Sequence, residues 1–81
     1  MSATRYSDRL TWTATRKAAG ILKAAREASG KRQVDVAAGL GWSTAKVGHA
    51  ENAVTRMTPE EALRFAALVG ADLGELTGGE P

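Results

Sequence analysis

Between Gln33 and Asn52 the chain reads QVDVAAGLGWSTAKVGHAEN, and its polar side chains fall on a helical spacing. Thr44, Ala45 and His49 stand at i, i+1 and i+5, and Lys46 and His49 at i and i+3. All four therefore share the outer side of a short helix whose inner side is Val47 and Ala50. These residue types suit the edges of base pairs. Ala45 and the Thr44 methyl fit beside a thymine methyl, Lys46 and His49 can donate to guanine O6 or N7, and Thr44 can donate or accept. Lys46 can equally reach a phosphate. Ser43 and the free N–H groups that open such a helix can hold a phosphate as well. Other chemistry is poorly provided for. The chain has no Cys and one His, so thiolate ligands, Cys nucleophiles, disulfides and a multi-histidine metal site within one chain are excluded. No paired acids stand with a base or metal ligand, so neither an enzyme nor a cofactor is expected.

The elements that must position these residues read as helices only. Apolar or small residues at 14, 18, 21, 22, 25 and 28 make Thr13 to Ser29 amphipathic, with Gly20 weakening the middle and Gly30 ending it. A short helix from Gln33 to Leu40 has Val36, Ala37 and Leu40 inside, and Gly41 stops it. Ser43 caps the next, Thr44 to Asn52. AVTRM, residues 53–57, lacks helical spacing and reads as a loop. Thr58-Pro59-Glu60-Glu61 is a capping box with proline at the first helical position. It opens a fourth helix expected to bury Ala62, Leu63, Phe65, Ala66 and Val69 and to stop at Gly70. Asp72 and Glu75 repeat the capping pattern for a final short helix with Leu73 and Leu76. The expected fold is all-α with five helices: residues 1–12 a basic arm, 13–77 the domain, 78–81 a tail.

Length and charge narrow the function. Eighty-one residues make one small domain. No run of apolar residues is long enough for a membrane span, and no secretory signal is visible, so a cytoplasmic protein is expected. Residues 1–32 carry eight basic groups against Asp8 and Glu27, a net of +6, whereas residues 33–81 net −4. A basic half beside an acidic half implies a polyanion partner on one side. Two short helices around a glycine turn, with apolar residues at Val36, Leu40, Trp42, Val47 and Ala50 and the small Ala37 at their crossing, let the second helix project into a major groove.

From Ile21 to Leu76 the sequence resembles the XRE-type helix-turn-helix proteins, the group of the Cro proteins and lambda-like phage repressors. LKAAREASG before the motif, the motif itself and TPEEALRFAALVGADLGEL after it match in order and spacing. The resemblance implies a lambda-repressor-like fold and a sequence-specific transcriptional regulator of phage or bacterial origin. Such a protein binds a double-stranded operator, usually as a homodimer, in the bacterial cytoplasm at the nucleoid. It also implies residue roles. Gln33 touches a phosphate and buttresses the recognition helix. Thr44, Ala45 and His49 face bases, Asn52 meets the DNA backbone and Arg56 contacts a phosphate. Arg26 pairs with Glu51 to orient the recognition helix. No small-molecule substrate is implied.

The departures from that pattern carry a reading of their own. Lys31 and Arg32 stand where the family has an apolar residue and a Ser or Thr cap. Cations at a helix start are unfavourable without an anion, so Lys31 and Arg32 are expected to be phosphate contacts whose cost is recovered on DNA. Gly48 lies inside the recognition helix, where it adds flexibility or lets the backbone approach DNA or a partner. Ala50 is smaller than the family residue, leaving space for Trp42 or Trp12. Ala53 replaces a helix-ending glycine. Arg5 and Arg9 are candidates for an arm that follows DNA into the minor groove. A dimer surface is expected at Leu73 and Leu76, or at Tyr6, Leu10 and Trp12. The alternative function is a protein-binding module on this fold, such as an antitoxin, with residues 1–12 as its partner segment.

Overall fold

The computed structural model describes residues 12–73, with side chains from residue 16 onward. Four helices lie in these residues: α1 (Trp12–Ala28), α2 (Gln33–Leu40), α3 (Thr44–Glu51) and α4 (Pro59–Val69). Arg5, Arg9, Tyr6 and Leu10 lie outside the described residues, as does the side chain of Trp12.

Local signals set the helix ends. Pro59 opens α4 behind a reciprocal cap, in which Thr58 Oγ1 accepts from the Glu61 N–H at 3.1 Å and Glu61 Oε1 accepts from the Thr58 N–H at 2.9 Å. At the end of α2, Gly41 takes φ 75°, and the Trp42 N–H then reaches back to the Ala37 carbonyl at 2.9 Å. That left-handed residue is what turns the chain tightly enough to start α3 three residues later. Arg64 of α4 donates from Nη2 to the Leu40 carbonyl at 3.4 Å, placing a cation at the negative end of α2.

Each helix contributes one large, fully enclosed side chain to the centre: Leu22, Val36, Val47 and Phe65. Ala18, Ala37, Leu40, Ala50, Met57, Ala62, Ala66, Val69 and Leu73 complete the core, and Trp42 packs against it edge-on to Phe65, with ring centroids 6.2 Å apart at 77°. Small residues fix the crossings. A Cβ on Gly39 would stand 2.8 Å from Leu68 Cδ1, so α2 meets that α4 side chain through glycine.

Two expectations change. Leu63 is 49% exposed rather than buried. The α4 stripe runs through Ala62, Phe65, Ala66 and Val69 at i, i+3, i+4 and i+7, and Leu63 sits one step off it. The described residues also hold four helices rather than five. After Gly70, Ala71 to Leu73 are not helical, with Leu73 turned into the core, and residues 74–77 of the expected fifth helix lie outside the described part.

Ala53 has φ 58°, the only non-glycine residue with positive φ among those described. The Val54 N–H bonds the His49 carbonyl at 2.8 Å across it, as at a glycine-terminated helix. A Cβ in this conformation costs about 1–2 kcal/mol. Ala53→Gly removes that strain and loses one buried methyl. We expect a net gain of about 0.5–1 kcal/mol, read as a rise of a few degrees in Tm. No rise in Tm would show that the lost methyl contact matters as much as the strain.

Candidate nucleic-acid interface

The inner side of α3 is anchored twice. Val47 and Ala50 are buried in the core, and Glu51, at the last turn, is enclosed with a side chain only 1% exposed. Arg26 of α1 meets it with a forked pair of bonds, Nε to Oε2 and Nη2 to Oε1, the latter at 3.1 Å. Gln33 Nε2 donates to the same Oε1 at 3.1 Å, and Arg26 Nη1 donates to the Lys31 carbonyl at 2.8 Å. One carboxylate thus gathers donors from the helices before and beside it. The Glu51 bonds hold the Arg26 guanidinium even more firmly protonated than usual, against the opposing effect of its burial. The forked geometry fixes direction as well as distance. Together these bonds set the angle at which α3 leaves the body.

Gln33 also lies against Gly48. A Cβ there would meet Gln33 Nε2 at 3.6 Å, an ordinary contact, so the Gln33 amide does not require glycine at that position.

The outer side of α3 presents Thr44, Ala45 and His49 to solvent, with Asn52 as the C-cap and Arg56 exposed in the following loop. The side chains of Thr44, His49 and Asn52 make no hydrogen bond to another described residue. Ser43 caps α3 in the expected way, its Oγ accepting from the Lys46 N–H at 3.1 Å. The hydroxyl proton and the first N–H groups of α3 stay available to an anion.

Lys46 is placed differently from its neighbours. Its ammonium stands 4.4 Å from the centre of the Trp42 ring and 3.3 Å from Glu61 Oε2. It is therefore turned toward α4 although it shares the exposed helix start with Thr44 and Ala45.

The start of α2 corrects one premise. The cations at this helix end do not lack an anion, because Asp35 supplies one. Its Oδ2 accepts from both the Arg32 N–H at 2.9 Å and Arg32 Nε at 3.0 Å, and its Oδ1 from Arg32 Nη2 at 3.0 Å. Arg32 has no acceptor to offer the helix, so this is half of a capping box, built from the third residue backward. Those bonds hold the Asp35 carboxyl at about 2, led by the Arg32 side chain. A lowered carboxylate favours the folded state above its ordinary value, and that contribution fades as pH falls through about 2. Its exposure keeps the effect small.

The residues that sequence spacing missed are the partners Asp35 and Glu61. Both stand three residues into a helix, where an acid serves the cap, and that local role hid the cation each one also holds. Trp42 was expected in the core, and its second face, under Lys46, had no sequence signal.

No group of His, Asp and Glu among the described residues could hold a metal ion, and no helix there is long and apolar enough to cross a membrane. No curated protein and no solved structure matched the chain. The family model described as a helix-turn-helix domain matches residues 17–77, a span that takes in all of α2, α3 and α4, the anchoring Arg26 and the exposed face of α3. With that match over well more than half its length, the chain belongs to the helix-turn-helix domain family.

Proposed function

We propose that the protein is a sequence-specific double-stranded DNA-binding transcriptional regulator of the Cro or repressor type that reads the major groove with α3. The observation that carries this reading is the division of α3 into two sides. One is locked to the body through Val47, Ala50 and Glu51, and the other exposes Thr44, Ala45 and His49, whose side chains make no hydrogen bond to another described residue. A helix held this rigidly by one side, with small and hydrogen-bonding residues on the other, is suited to base readout. Gln33, Ser43, Asn52, Arg56, Lys31 and Arg32 are proposed to hold phosphates around it, where contacts fix register rather than sequence. Arg5 and Arg9 are proposed to add an arm. Binding as a homodimer places two short helices one turn of DNA apart, which supplies affinity that one helix lacks.

Selection from a random duplex library, followed by titration of the winner against salt, tests the reading. A palindromic motif bound far above random DNA is expected. Arg32→Ala should then weaken binding to all duplexes alike and reduce the salt slope by about one. Enrichment of no motif would sink the regulator reading and direct attention to a protein partner.

A further inference from the structure

Lys46, Trp42 and Glu61 form a closed set at the point where α3 and α4 both begin. The Trp42 ring rests edge-on against the buried Phe65, and Lys46 covers it. Glu61 is held in place before it meets Lys46, because its other oxygen, Oε1, accepts from the Thr58 N–H at 2.9 Å. That backbone bond, with Lys46 adding to it, keeps Glu61 ionised below the usual carboxylate range despite partial burial. The Lys46 N–H is engaged too, by the Ser43 cap. A lysine stem laid over an indole with its charge matched by a fixed carboxylate is restrained at both ends.

We propose that Lys46 is a positioning residue, and that Glu61 and Trp42 hold its charge off the nucleic acid and tie the start of α3 to α4. Base readout then falls to Thr44, Ala45 and His49, from a helix start carrying no net side-chain charge. A free lysine at this point would add sequence-blind attraction to any phosphate. Its restraint therefore favours discrimination between sequences over raw affinity. The inference rests on α3 entering DNA, and Glu61 becomes a specificity-determining residue that touches no base.

The test compares the full chain as wild type, Lys46→Met, Glu61→Gln and the double variant. Gln at 61 still serves the capping box, and Met keeps a stem over Trp42, so all four should fold, which thermal melts verify. The probe is a labelled random-sequence duplex pool of about 20 base pairs, long enough for two half-sites. Glu61→Gln should bind the pool several-fold more tightly, with a log–log salt slope steeper by about 0.9. The double variant should return to the wild-type slope. Lys46→Met should weaken all duplexes by one common few-fold factor and select the wild-type motif. An unchanged slope for Glu61→Gln, a gain that survives in the double variant, or a new motif for Lys46→Met would each overturn the proposal. Urea unfolding of the same proteins provides a readout without DNA. The unfolding constant of the double variant should depart about two- to fivefold from the product of the single effects, and strict additivity would overturn the contact itself. A wild-type chain that binds no duplex sinks the DNA reading instead, and the coupling still decides whether Lys46 ties α3 to α4.

Discussion

Glu51→Ala is expected to cost about 3–5 kcal/mol, close to the whole stability of a domain this small. The loss comes less from the missing attraction than from what is left behind. The Arg26 side chain is only 11% exposed, so without Glu51 a guanidinium remains in the protein interior with only the exposed Glu27 carboxylate, 3.9 Å away, to face it. Gln33 Nε2 loses its acceptor in the same step. Melting followed by circular dichroism should show Tm falling on the order of 20 °C, or a chain already unfolded at room temperature. Replacing both members, Arg26→Met with Glu51→Leu, should recover most of the loss, because a buried ion pair exchanged for apolar groups of similar size is often near neutral. The double variant should then fold yet bind DNA less well, since no directional bond sets the angle of α3. A loss below about 1 kcal/mol for Glu51→Ala would show that water reaches the pair and that its contribution is that of a surface contact.

Ala45→Glu should act on binding alone and by a larger factor. Position 45 is exposed in the first turn of α3, where a carboxylate meets the positive end of the helix dipole. Stability should therefore hold or rise by about 0.3–1 kcal/mol. On DNA the same carboxylate faces base acceptors and phosphates with no cation to meet it. Like charges brought together at an interface cost several kcal/mol, so affinity for the selected duplex should fall by roughly two orders of magnitude or more. Fluorescence anisotropy at fixed salt measures the loss, and an unshifted or higher Tm separates it from unfolding. Retention of near wild-type affinity would mean that this side of α3 does not enter the groove, even if the chain binds DNA by another surface.

These two variants mark different kinds of knowledge. The four described helices were legible in the sequence because their signals are local. Gly41, the Ser43 cap, the Thr58–Glu61 capping box and the apolar stripe on α4 each act within a few residues. Leu63 shows the limit even there: it is apolar and sits in the right helix, but one residue off the stripe, and only the packed angle of α4 exposes it. The outer side of α3 was legible for the same reason, since 3.6 residues per turn sort Thr44, Ala45 and His49 from Val47 and Ala50.

What only the tertiary structure decided is how charges pair. Arg26 and Glu51 are 25 residues apart, and their pairing was expected from resemblance to a family rather than from any spacing. The seat of Lys46 on Trp42 and Glu61 was not anticipated at all. Long side chains reach several ångströms in any direction, and sequence periodicity fixes where a Cβ points but not where an ammonium comes to rest. The sequence by itself determined that a short helix would carry a hydrogen-bonding face. The Glu61 carboxylate at the start of α4 decided where the lysine of that helix came to rest, because a charge settles where a fixed counter-charge lies within reach.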